Sequence, residues 1–145
     1  MTTLEDIGLS IDVAARPAKV WAVLTGEGQV EKWLGCVGYR ARPGADFYMQ
    51  PDAARRKKGD IAGATHCEVL ALEAPERFAF SWFLPGTPKT LVEIVVTPAA
   101  SGSRVSLMHS GWDQFDPGEV AAVRDSLEAG WRSAVLPQLK AAAEG

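Results

Sequence analysis

With only two cysteines and two histidines among 145 residues, and a net charge of −3, the chain has little material for several kinds of chemistry. Cys36 and Cys67 are far apart and form no metal-binding spacing. His66 and Cys67 are adjacent, so in a strand they face opposite ways and cannot readily share an ion; no metal and no cofactor are expected. The acidic balance argues against nucleic-acid binding, because neutralising phosphates takes a basic face. The one dense basic run, Arg55-Arg56-Lys57-Lys58 before Gly59-Asp60, is expected to form a solvated hairpin loop. No apolar run approaches the ~18 residues that span a bilayer, so no membrane partner is expected. The first residues lack the basic and apolar regions of a signal peptide, which points to a cytoplasmic location with free thiols. Repeats, low-complexity tracts and long linkers are missing too, so residues 1–145 are expected to form one domain. Ser110-Gly111 lacks the setting of a nucleophile elbow, and Gly26-Glu27-Gly28 lacks the lysine and spacing of a phosphate loop.

What the sequence does contain is periodicity. Ile7, Leu9, Ile11 and Val13 alternate with small or polar residues, the pattern of a half-buried strand. Pro17 suits a first helical turn, and Val20, Trp21 and Leu24 follow before Gly26. Glu27 to Leu34 reads as a second short helix stopped by Gly35. Between there and residue 112, turn signals separate short alternating runs, including Phe78-Phe80-Trp82, Val92-Ile94-Val96 and Val105-Leu107-His109. They predict an antiparallel meander of about six strands with one strongly apolar face and one mixed face. Val120, Val123, Leu127, Trp131 and Ala134 then recur at helical intervals, after Asp116-Pro117 as a helix entrance. Pro137 is expected to kink or end the last turns. The fold expected is α+β, with a long C-terminal helix lying across the apolar sheet face.

In this order the chain resembles the START-like helix-grip superfamily, which includes the birch-pollen allergen and polyketide cyclases. Within that superfamily it resembles specifically the branch similar to the activator of the heat-shock-protein-90 ATPase. The resemblance is carried by four stretches: Ile11 to Trp21 with Trp33-Leu34; Ala74 to Phe78 with Ser81-Trp82; Val105 to Trp112; and Gly130-Trp131 leading to Leu136-Pro137-Gln138-Leu139. It implies a curved antiparallel sheet gripping the last helix, with a cavity between them that commonly accepts a hydrophobic small molecule. Members include lipid and hormone binders, cyclases and chaperone regulators, so the fold alone does not name an activity. A hydrophobic or amphipathic small molecule is the expected partner. A chaperone, and a second copy of the chain through the mixed face, are the alternatives.

Ligand cavities are mostly apolar with a few polar contacts, and the aromatic residues suit such a lining. The candidate ligand-binding residues are Trp33, Phe47, Phe80, Trp82, Leu107, His109, Val123, Leu127 and Trp131; Trp112 is a further aromatic candidate. For each of them, ordinary core packing is the competing reading. His109 falls on the apolar face, where it is either a hydrogen-bonded core histidine or a ligand contact or acid/base. Asp113 lies roughly 13 Å away in extended chain unless Gly111 bends it. No catalytic set is expected, and binding ranks ahead of turnover. A cyclase, dehydratase or hydrolase using His109, Tyr48 or Arg40 is the enzymatic alternative.

Overall fold

The computed structural model describes residues 4–145. Strand β1 (Ile7–Val13) buries Ile7 and Val13 completely, as its alternation requires. Helix α1 (Pro17–Thr25) opens on a proline, whose missing N–H costs nothing in the first turn, and buries Val20 and Leu24. Helix α2 (Val30–Leu34) is shorter than Glu27 to Leu34. Gly28 takes φ +83°, a left-handed conformation that a helix cannot contain, so the preceding residues form a turn. Gly35, at φ +72°, closes α2 as a left-handed cap.

The chain then builds β2 (Cys36–Val37), β3 (Asp46–Met49), α3 (Ala53–Lys57), β4 (Thr65–Glu73), β5 (Arg77–Phe83), β6 (Thr90–Ala99) and β7 (Gly102–Ser110). All seven strands form one antiparallel sheet in the order β1-β7-β6-β5-β4-β3-β2, so β1 crosses to pair with the last strand. The register shifts between Val69 and Ala71, a bulge of the kind that bends a strand and helps a sheet curl. The basic run is helical and not a hairpin loop. Asp52 accepts from the N–H groups of Ala54 and Arg55 and so caps α3. Arg56 then turns back to donate to the Gln50 carbonyl at 2.6 Å.

After a short 3₁₀ turn (Trp112–Gln114) comes the long C-terminal helix, in three parts: α4 (Pro117–Gly130), a π-helical segment (Trp131–Val135) and α5 (Leu136–Glu144). Asp116 accepts from the Gly118 N–H and caps its start, as expected. Pro137 does not end the helix. It falls in the first turn of α5, directly after the π segment, where the hydrogen-bond ladder has already changed register and its missing N–H is tolerated. This change of register also alters which side faces inward. Val120 and Trp131 are buried as counted, Leu127 is half-buried, and Ala134 turns out to solvent while Leu136, Leu139 and Ala143 turn in. Helix α5 thus packs on α1, α2 and β1. Helix α4 buries Val120 alone, and Val123 remains 43% exposed.

Candidate functional site

The sequence-predicted residues separate into three neighbourhoods. Phe47 and Phe80 meet edge to face at 5.4 Å, and Tyr39 and Phe78 complete the group at 5.5 and 5.3 Å. Tyr39 donates its hydroxyl proton to the Thr25 carbonyl at 2.7 Å, and Trp33 donates its indole N–H to Val23 at 3.1 Å. All are buried, so Trp33, Phe47 and Phe80 belong to the packed interior beneath α1 and α2. Leu107, 2% exposed, sits on β7 opposite Leu9 of β1 and Ile94 of β6.

The second neighbourhood centres on His109, which is fully buried. Trp131 donates its indole N–H to His109 Nδ1 at 3.2 Å. An indole nitrogen only donates, so Nδ1 is the acceptor and the proton resides on Nε2. That Nε2–H meets Thr90 Oγ1 at 2.8 Å, and the Thr90 hydroxyl passes its own proton toward the Trp82 carbonyl at 2.6 Å. Trp112 donates to the His109 carbonyl at 3.0 Å and lies with its ring centroid 4.7 Å from the imidazole. Burial lowers the His109 pKa from 6.5 to about 3, so the ring is neutral. Gly111, at φ +101°, does bend the chain after β7, but it brings Trp112 and not Asp113 to the histidine. Every polar group of this chain of donors is matched, the Thr90 hydroxyl on both sides, which is the arrangement of a structural histidine.

Sequence reasoning missed Thr90. The signal was available: extending the inward alternation Val96, Ile94, Val92 by two residues reaches Thr90, at the start of β6 and on the face of His109. The other two proton-transfer candidates lie elsewhere. Tyr48 is on the outer sheet face, its ring 4.9 Å from His66, and Arg40 is exposed with its guanidinium on the Tyr39 carbonyl at 2.9 Å.

The third neighbourhood is the seam where α4 stands over the end of the sheet. One groove of about 220 Å³ is lined by Trp82, Leu84, Thr87, Pro88, Trp112, Phe115, Glu119, Val120 and Val123. A second, of about 400 Å³, is lined by Trp82, Ala122, Val123, Ser126 and Leu127. Both share Trp82 and Val123, so of the predicted residues the seam unites Trp82, Val123 and Leu127. Trp131 and His109 lie behind Trp82, the histidine ring 5.5 Å from its indole. The Trp82 indole N–H is buried and has no hydrogen-bond partner among the described residues, an arrangement that costs about 1–3 kcal/mol. Leu84, Pro88 and Phe115 were not anticipated, because the β5–β6 connection read only as a turn and the residues between Trp112 and the helix entrance at Asp116-Pro117 carry no periodic pattern.

Two further depressions lie apart from the seam. A shallow one of about 430 Å³ is lined by residues including Gly8, Ser10, Glu93, Val95 and Met108 on the outer face. Another, of about 410 Å³, is bounded by Glu31, Cys36, Arg56 and Lys57. Its Cys36 thiol is pushed up to about 12 by burial, with the Glu31 charge adding to the effect. No group of three or more metal-binding side chains occurs among the described residues, and no helix there is long and apolar enough to cross a membrane.

Residues 14–144 match the model of a family described as Activator of Hsp90 ATPase homolog 1-like protein. The chain belongs to this family. Its fold recurs in BH1534 of Bacillus halodurans, 24% identical over 99% of this chain and 100% of that one, with a TM-score of 0.75. MLL2253 of Mesorhizobium loti is 23% identical over 97% and 94% of the two chains, with a TM-score of 0.72. The Aha1 dimer of Colwellia psychrerythraea is 18% identical over 97% of each chain, with a TM-score of 0.71. No curated protein matches the chain in sequence. The family and these neighbours establish the START-like helix-grip architecture, a curled seven-stranded sheet with a 28-residue C-terminal helix.

Proposed function

We propose that this single-domain chain binds a hydrophobic or amphipathic small molecule at the seam between the sheet end and α4. The observation that carries the reading is the exposed apolar face of α4: Val123 is 43% exposed and Leu84, across the groove, 43%, with Trp82 as a shared wall. Contiguous apolar concavities of this kind suit ligand contact. The site residues are Trp82, Val123 and Leu127, with Trp112 and Phe115 beside them. His109 and Trp131 act behind Trp82 as its support, and Trp33, Phe47, Phe80 and Leu107 form the interior against which the sheet is held. Catalysis is the weaker reading because His109 is enclosed and neutral. The buried free thiols of Cys36 and Cys67 accord with a cytoplasmic setting.

The test is fluorescence titration with the neutral probe N-phenyl-1-naphthylamine. Saturable binding to the wild type is expected, and Val123→Lys should weaken it about tenfold or more by placing a charge in the groove. The same substitution should change stability by no more than about 0.5 kcal/mol, since the site is exposed and helical. Absence of saturable binding, or equal binding by both proteins, would remove the seam from consideration.

A second reading follows from family membership and the dimeric Colwellia neighbour: the outer face, with Met108 43% exposed beside Val95, docks a chaperone or a second copy. Sedimentation of the wild type and Met108→Glu, with and without the chaperone, separates this from ligand binding.

A further inference from the structure

We infer that the ligand of the seam is neutral and carries a hydrogen-bond acceptor, such as a carbonyl or ether oxygen, which is met by the indole N–H of Trp82. The inference rests on the seam reading above and adds the chemistry of the occupant. Four tryptophans are buried, and three of them donate: Trp33 to Val23, Trp112 to the His109 carbonyl and Trp131 to the His109 ring. Trp82 is the exception among the described residues. It is 91% buried, its nitrogen exposes less than 1 Å², and it donates to nothing. A buried donor without an acceptor is rare, because water has been removed and nothing replaces it.

The rest of the lining explains the polarity of the partner. Thr87 already donates its hydroxyl proton to the Leu84 carbonyl at 2.7 Å. Among the described residues, Glu119 is the only ionisable group lining either groove, and it repels a carboxylate or sulfonate. The Ser126 hydroxyl of the second groove belongs to an exposed residue that water serves, so an uncharged apolar body with one acceptor gains most at the buried indole N–H of Trp82. Since the nitrogen exposes so little area, contact requires the ligand to displace side chains of the groove wall. The wall that has least to lose is α4, which buries Val120 alone.

The experiment uses a matched pair of probes on the full chain: 6-propionyl-2-dimethylaminonaphthalene, which has a ketone, and its 6-propyl counterpart, which has the same shape and no carbonyl. Trp82→Phe keeps an aromatic wall and removes the donor. Trp82→Phe should weaken binding of the ketone about five- to tenfold more than it weakens binding of the propyl probe, which loses only the wall contact that the two probes share. If both probes bind but the substitution affects them equally, the donor assignment is wrong and the seam reading stands. If neither probe binds saturably, both are wrong. A measurement on the wild type guards against a variant that does not fold. The ¹H–¹⁵N resonance of the Trp82 indole should move downfield with the ketone and not with the propyl probe; an unmoved resonance at saturation with the ketone would overturn the assignment.

Discussion

His109 is a single residue whose surroundings set a pH dependence. In the unfolded chain its imidazole takes up a proton near pH 6.5, whereas in the fold burial holds that step down to about 3. Above the unfolded value neither state is protonated, so this group leaves stability unaffected. As pH falls below 6.5 the unfolded state binds a proton that the native state refuses. The stability of the protein then falls by about 1.4 kcal/mol per pH unit until about pH 3. Urea unfolding at pH 7, 6, 5 and 4 should show this slope, and His109→Gln should flatten it. Thr90→Val tests the same chain of donors from the other side, by leaving the His109 Nε2–H without an acceptor. It should cost about 1–3 kcal/mol at pH 7 with the fold retained. The sequence placed His109 on the inner face correctly by counting in twos, and Thr90 was within reach of the same count. What periodicity does not contain is which ring nitrogen carries the proton; that depends on Trp131, 22 residues later in the chain.

Among the elements, α1 and strands β1, β5, β6 and β7 were legible from a proline, a glycine or a clean alternation, whereas β2, β3 and β4 were anticipated only as members of a meander. The C-terminal helix was legible as a helix but not as a surface. A constant helical period puts Ala134 on the buried face, whereas the π segment rotates it out and brings Leu136 in. Consequently the helix has two unlike halves. Helix α5 is anchored: Lys140 donates to the Asp12 carbonyl at 2.9 Å, and Glu144 accepts from the Ala14 N–H at 2.8 Å. Helix α4 is held at its edge by Arg124, which donates to the carbonyls of Glu5 and Asp6, while its apolar side stays open. Gly130 stands where the halves join, with helical backbone angles and open space where a Cβ would lie. Gly130→Ala should therefore stabilise the protein by about 0.5–1 kcal/mol, seen as a higher urea midpoint with unchanged slope. A destabilised variant would mean that the junction needs a glycine.

At the scale of the whole molecule, the fold divides its labour along the long helix. One end of the sheet is filled by α1 against β6 and β7, α2 against β2 and α5 against β1, with Trp33, Phe47 and Phe80 locked in the interior. At the other end, where β5 and β6 connect and β7 gives way to Trp112, Trp112 and Trp131 close over His109 and the more open cover beyond them is α4. This is why an aromatic inventory read from sequence overestimates the site: Trp33, Phe47 and Phe80, half of the six candidate rings, belong to the filled end, and a cavity is decided by how layers fit and not by residue type. The most direct measurement is a ¹H–¹⁵N amide titration of the full chain with N-phenyl-1-naphthylamine. Occupation of the seam by the probe should give saturable shifts confined to Leu84–Thr90, Trp112–Phe115 and Val120–Leu127. Shifts clustering instead at Gly8–Ser10, Glu93–Val95 and Ser106–Met108, or no saturable shifts at all, would contradict it.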